Sequence, residues 1–124
     1  MDDEQATLDS QFFEFAKLME KTRDGTTINL YRSDYWLRQA KVLDDRKVTM
    51  TDTGLAWWKF YEKTEFNYDE WYEMFTDLCY TTGLEHEATE LLLINCGLPG
   101  TTPVIVPQYR DFFDSYKSKS KMVF

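Results

Sequence analysis

Residues 44–75 read DDRKVTMTDTGLAWWKFYEKTEFNYDEWYEMF, and this stretch carries the clearest structural signals in the chain. Two short runs in it, Arg46–Met50 and Thr64–Phe66, contain β-branched and aromatic residues and predict strands. Between the two runs an aromatic helix is expected at about Asp52–Glu62. The stretch holds no catalytic motif. Its many aromatic residues indicate a scaffold whose role is to bury aromatic rings and fix a shape.

An amphipathic helix is predicted directly after the second run. Asn67 is a favoured N-cap and Glu70 stands three residues later, so the pair has the pattern of a capping box. The apolar residues that follow share one helical face: Tyr68, Trp71, Tyr72, Phe75, Leu78 and Cys79. Gly83 predicts the end of this helix.

Helical patterns also precede and follow this region. A first helix is expected to begin near Asp9 or Ser10, which are both good caps, and a second from about Ser33. A last core helix is expected over residues 84–95, with four residues facing inward: Leu84, Ala88, Leu91 and Leu92. The helix at Asp52–Glu62 has apolar residues on more than one face, which predicts that it is the most enclosed helix.

These elements together predict an all-α fold, with an EF-hand-like core of five helices, a small two-stranded β element and an extended C-terminal segment. Residues 1–8 are polar and acidic and are expected to form a disordered N-terminus. Residues 9–96 form the expected helical core. Residues 97–124 begin with Gly and Pro signals and are expected to be an extended segment with a basic end.

Charge and composition exclude several classes of function. The chain has 124 residues, which fits a single domain, and a net charge of -8, which disfavours binding to nucleic acid or to anionic membranes. It shows neither a signal peptide nor an apolar run of membrane-spanning length, so a cytoplasmic location is expected. Aromatic residues make up 17% of the chain, and this excess favours binding over catalysis.

The helix–strand pattern invites a test for calcium loops, in which a hydrophobic residue stands at the eighth position. With Val48 there, the first, third and fifth positions hold Lys41, Leu43 and Asp45. With Phe66 there, the same positions hold Lys59, Tyr61 and Lys63, and the twelfth holds Glu70. Calcium loops need oxygen ligands at the early positions. The loops are therefore interpreted as structural, and no metal or other cofactor is predicted.

The sequence gives little support for a zinc site or for a catalytic site. His86 is the single histidine, and Cys79 and Cys96 lie too far from it along the chain for a zinc motif. The two cysteines are interpreted as core thiols and the histidine as a surface residue. No phosphate-binding loop, nucleophile elbow or catalytic Cys–His pair is present, so the chain is predicted not to be an enzyme.

The adjacent tryptophans Trp57 and Trp58 leave two interpretations open. Neighbouring residues on a helix point about 100° apart, so both rings are buried only if the helix is enclosed. The first interpretation is two core rings. The second is one core ring and one surface anchor, since tryptophan is enriched at binding hot spots.

Two segments resemble the p25-alpha family, the tubulin polymerization-promoting proteins. The first is Trp36–Asp52, WLRQAKVLDDRKVTMTD, which is similar to the family's basic helix, apolar pair and Val-Thr-x-Thr-Asp element. The second is Phe66–Trp71, FNYDEW, which is similar to the family's Ile-Thr-Phe-Glu-x-Phe. Residues 84–95 resemble its last core helix, so the resemblance covers roughly residues 10–96.

The resemblance implies an EF-hand-like helical core, tubulin binding, and the polymerization and bundling of microtubules without a catalytic site. It implies a cytoplasmic location on the microtubule cytoskeleton. The chain lacks the basic, Gly-rich C-terminal run that is usual in the family, and its one cationic cluster near the end is Lys117, Lys119 and Lys121. These lysines are the candidate contacts for acidic tubulin surfaces. The alternative is a degenerate EF-hand-like interaction adaptor that has lost tubulin binding.

Overall fold

A computed structural model describes residues 5–20, 22–60, 63–102 and 104. The helices in this part are α1 (Leu8–Ala16), α2 (Leu30–Gln39), α3 (Met50–Phe60), α4 (Tyr68–Thr82) and α5 (His86–Ile94). Two short strands, β1 (Ile28–Asn29) and β2 (Glu65–Phe66), form an antiparallel sheet. The predicted class, an all-α core of five helices with a small two-stranded element, is confirmed.

The sheet joins the loop of one helix pair to the loop of the next. Ile28 lies opposite Phe66 and Asn29 lies opposite Glu65. Both Ile28 and Phe66 are fully buried. The unit helix–strand–helix therefore occurs twice along the chain. Two helices, α2 and α3, separate the strands, whereas the sequence pattern predicted one helix between them. This is the arrangement of an EF-hand pair.

The prediction of a strand at Arg46–Met50 is wrong. This segment is a loop that leads into α3, and Val48 is buried there without a strand partner. The carboxylate of Asp44 accepts hydrogen bonds from the backbone N–H groups of Arg46 and Lys47, at 2.9 and 3.0 Å. These bonds fold the backbone into a turn, because side-chain acceptors of this kind compete with strand pairing.

Side-chain caps explain where the helices begin. The Thr7 hydroxyl accepts from the Ser10 N–H and caps α1, so the expectation of a cap at Asp9 or Ser10 is wrong. The Asn29 side chain caps α2, which starts three residues before the predicted Ser33. At α4 the predicted capping box is confirmed: Asn67 and Glu70 exchange two side-chain-to-backbone bonds of 2.9 Å.

The core is organised around a column of four aromatic rings. Phe15 stacks on Trp36 with ring centroids 5.3 Å apart, Trp36 on Trp71 at 4.8 Å, and Trp71 on Phe75 at 5.2 Å. The indole N–H of Trp36 donates to the Leu93 carbonyl at 3.2 Å, so the buried polar atom keeps a partner. The column unites α1, α2 and α4 with the end of α5.

Two predictions about burial are wrong. The buried residues of α5 are Thr89 and Leu93, whereas Ala88, Leu91 and Leu92, which were expected to face inward, are exposed. The helix α3 is not the most enclosed one, because Leu55 is exposed on it. Both sites therefore expose apolar surface to solvent.

Candidate functional site

The two paired loops are the place where an EF-hand pair would hold calcium. With Ile28 and Phe66 as the eighth positions, the first loop has Arg23 third and Arg32 twelfth. The second loop has Lys59 first, Lys63 fifth and Glu70 twelfth. The first loop is therefore in a different place from the one that Val48 defined, since the strand lies earlier in the chain.

The residues at these positions do not fit a calcium ion. Calcium is held by six to eight oxygen ligands, whereas Arg23, Lys59 and Lys63 stand at early positions of these loops. Glu70 is engaged already, because its carboxylate accepts from the Asn67 N–H and from the Lys63 ammonium at 2.6 Å. Among the described residues, no group of three or more His, Cys, Asp and Glu side chains is placed to share a metal ion.

A surface groove lies between α2, α5 and the segment that follows α5. It is an open depression of about 390 Å³, and we call it the α5 groove. Its lining residues are Gln39, Ala40, Lys41, Leu91, Leu92, Asn95, Cys96 and Thr102. The groove thus combines the exposed Leu91 and Leu92 with polar side chains and one cationic side chain, that of Lys41.

Two buried glutamines fix the wall of the α5 groove. The Gln39 amide donates to the carbonyls of Cys96 and Leu98 at 2.9 and 2.8 Å, and its oxygen accepts from the Gly100 N–H at 3.0 Å. The Gln11 amide donates to the Gly97 carbonyl at 2.9 Å. Neither glutamine is predictable as a buried residue, because a glutamine within a helical pattern gives no sign of burial.

The tryptophan pair resolves into one core ring and one exposed ring. Trp57 is fully buried, while half of Trp58 is exposed. Leu55, three residues before Trp58 on α3, is also exposed, so the two side chains share a helical face. The interpretation of two core rings is therefore wrong, while a role of Trp58 as a surface anchor stays a prediction.

The titratable side chains between α4 and α5 form a hydrogen-bonded chain. The Tyr72 hydroxyl donates to Glu90 at 2.5 Å, and this bond together with burial raises the pKa of Tyr72 to about 12. His86 lies 3.3 Å from the same carboxylate and 3.2 Å from the Thr76 hydroxyl. A tyrosine held neutral in this way is no activated nucleophile, and its hydrogen bond to Glu90 connects α4 to α5.

The two cysteines are free thiols. Burial raises the pKa of Cys79 to about 11, and burial is also the main cause that raises the pKa of Cys96. Cys79 is buried and Cys96 is half-buried. Since the thiolate is the nucleophilic form, both groups are poor nucleophiles at neutral pH.

The sequence-predicted contact residues Lys117, Lys119 and Lys121 lie outside the described residues. In the part that is described, no helix has the length and apolar character needed to cross a membrane. Features of the described surface include the α5 groove, the Leu55–Trp58 face and an EF-hand-like loop pair with basic residues at ligand positions.

Comparison with family models matches residues 9–122 to p25-alpha. The chain belongs to the p25-alpha family. The p25-alpha match extends beyond the residues that carried the sequence resemblance and takes in Lys117, Lys119 and Lys121. A comparison with curated proteins gave no match.

Proposed function

We propose that this p25-alpha protein binds tubulin and promotes the polymerization and bundling of microtubules without catalysing a reaction. The observation that carries the proposal is the family match over residues 9–122, nearly the whole chain. A cytoplasmic location on the microtubule cytoskeleton follows from the same proposal. The partners are tubulin and microtubules, and neither nucleic acid nor a membrane is among them.

The charge of the chain restricts how it meets tubulin. A net charge of -8 opposes association with an acidic partner at long range. Lys117, Lys119 and Lys121 form a cationic cluster, and we propose that they make the electrostatic contact. The exposed apolar residues of the α5 groove and of α3 are available to add short-range contacts.

Microtubule cosedimentation with a charge-matched control tests this proposal. The tail variant K117Q/K119Q/K121Q loses three positive charges, and K17Q/R46Q/K47Q loses the same number elsewhere. We expect the tail variant to remain in the supernatant and the control to pellet like the wild type. Binding of the wild type should weaken as salt is added, because exposed charges are screened. Equal pelleting of both variants would overturn the role of the tail.

A second candidate function is an EF-hand-like adaptor that has lost tubulin binding. The observation that favours it is the exposure of Leu91 and Leu92 beside Lys41 in the α5 groove. In a pull-down, this adaptor would recover a partner without tubulin, and L91S/L92S would release that partner. A matched L55S variant, altered on a different exposed face, should retain it. Recovery of tubulin by the wild type would rule the candidate out.

A further inference from the structure

Arg23 occupies the third position of the first loop and collects oxygen atoms from several segments. Its Nε donates to the Ala16 carbonyl at the end of α1, at 2.8 Å, and its Nη2 donates to the Thr27 carbonyl at 3.0 Å. Thr27 is the seventh residue of the loop, whose backbone carbonyl is a calcium ligand in an EF-hand. The guanidinium therefore binds an oxygen that would otherwise face a metal ion.

The same guanidinium reaches into the second loop. Both terminal nitrogens of Arg23 bind the carboxylate of Glu65 on β2, with Nη1 to Oε2 at 3.2 Å and Nη2 to Oε1. The Thr27 hydroxyl donates to the same carboxylate at 2.6 Å. A two-pronged contact of this kind fixes geometry as well as charge. Arg23 thus connects α1, the first loop and β2.

The twelfth position of the first loop adds a second fixed cation. Arg32 donates through Nε to the Leu18 carbonyl at 2.7 Å and pairs with Glu20. Burial and then the nearby charge of Arg23 lower the pKa of Arg32, which places the two guanidinium groups in one electrostatic environment. A divalent cation entering this loop would meet two guanidinium groups, each of which already holds a carboxylate, Glu65 on Arg23 and Glu20 on Arg32.

The second loop repeats the arrangement with a lysine. Lys63 stands at the fifth position, and its ammonium lies 2.6 Å from the carboxylate of Glu70 at the twelfth. In an EF-hand the twelfth residue is the carboxylate that grips calcium with both oxygens. Here one oxygen binds the ammonium group of the exposed Lys63, and the other accepts the Asn67 N–H at 2.9 Å.

We propose that the paired loops are a metal-independent clasp, in which Arg23 and Lys63 take the place of the two calcium ions and Arg23 couples one loop to the other. The shape of the helical core is then constant at all calcium concentrations. A partner that binds this core does so without a calcium signal, whereas calcium binding opens the helix pair of a sensor EF-hand. This inference stands independently of tubulin binding.

A double-mutant cycle on the full chain tests the coupling. The variants are R23M, E65Q and R23M/E65Q, with R46M as a matched control at an exposed site. We expect amide exchange at Ile28 and Phe66 to accelerate about tenfold in either single variant, because a charged hydrogen bond is lost. The double variant should exchange little faster than the singles. Equal exchange in R23M and R46M, or multiplied effects in the double variant, would overturn the proposal.

Two further measurements keep the test decisive. R23K retains the charge and the stem but not the fork, so it is expected to fold and to exchange faster than the wild type at both strand residues. Exchange in R23K equal to that of the wild type would mean that the fork does not couple the loops. Millimolar calcium chloride should leave the melting temperature of the wild type unchanged. A saturable rise with calcium would show that the loops bind the metal.

Discussion

Trp57 stacks on Phe66 with ring centroids 3.9 Å apart and planes within 6° of parallel. The contact joins α3 to β2, and the indole N–H of Trp57 also donates to the Lys63 carbonyl at 3.1 Å. The neighbouring ring of Trp58 is half exposed. One side of α3 thus anchors the loop pair, and the adjacent side faces solvent.

Replacing each tryptophan by phenylalanine compares how much the buried side and the exposed side of α3 contribute to stability. Trp57→Phe removes buried volume and a hydrogen bond, so the free energy of unfolding should fall by about 1–3 kcal/mol. Trp58→Phe, the matched control, should change it by less than about 0.5 kcal/mol. Urea unfolding followed by far-UV circular dichroism measures both. Equal losses would contradict the assignment of Trp57 to the core.

Replacing each of two glycines by alanine should change the stability of the protein in opposite directions. Gly83 ends α4 with a φ of 76°, and an added Cβ there meets no atom within 4 Å, so Gly83→Ala suffers backbone strain alone. We expect a loss of about 1–2 kcal/mol. Gly54 lies inside α3 with equal space, and Gly54→Ala should stabilise the protein by about 0.5–1 kcal/mol. Thermal unfolding distinguishes the signs, and a stabilised Gly83→Ala would contradict the left-handed cap.

Replacing Gln39, which holds the wall of the α5 groove, should loosen the backbone of that wall. Gln39→Leu keeps the side-chain volume but leaves the Leu98 carbonyl and the Gly100 N–H without that partner. Stability should fall by about 1–3 kcal/mol, and amide exchange at Gly100 should accelerate. Gln5→Leu, at an exposed position, is the control. Unchanged exchange at Gly100 would show that other contacts hold this wall.

Acid pH should weaken the clasp. The hydrogen bond from Arg23 lowers the pKa of Glu65 below its ordinary 4.5. A lowered folded-state pKa stabilises the protein above the unfolded-state pKa, and the contribution is lost as pH falls through the folded-state pKa. The free energy of unfolding should therefore drop as the pH falls below the unfolded-state pKa of Glu65 and through its lowered folded-state pKa, and it should drop less in Glu65→Gln.

The control for this pH profile is Glu14→Gln, which changes an exposed carboxylate. Its curve should run parallel to that of the wild type. Part of the acid loss remains in Glu65→Gln, because the pKa values of Glu70, Asp24 and Asp44 are lowered by hydrogen bonds as well. Parallel curves for Glu65→Gln and the wild type would contradict the pairing with Arg23.

Local signals in the sequence predicted the elements that depend on local chemistry. The cap at Asn67, its partner Glu70 and the stop at Gly83 define α4, since the bonds that set its ends join residues a few positions apart. The strand β1 was missed because two residues, Ile28 and Asn29, give no alternating pattern. They pair only because the fold brings Phe66 and Glu65 beside them.

Burial was predicted less well where tertiary contacts decide it. Val48 has the pattern of a half-buried strand residue, but a loop buries it. Leu91 and Leu92 are more apolar than Thr89, yet Thr89 and Leu93 face the core and both leucines are exposed. The face of a short helix that is buried depends on the elements that pack against it. The sequence of the helix alone does not say where those elements lie.

Microtubule cosedimentation of the unmodified chain at low salt tests the central claim most directly. The claim rests on membership of the p25-alpha family. We predict that the chain pellets with polymerised microtubules in a saturable manner and raises the turbidity of a polymerising tubulin solution. A chain that stays in the supernatant at every microtubule concentration, and leaves the turbidity unchanged, would contradict the proposed function.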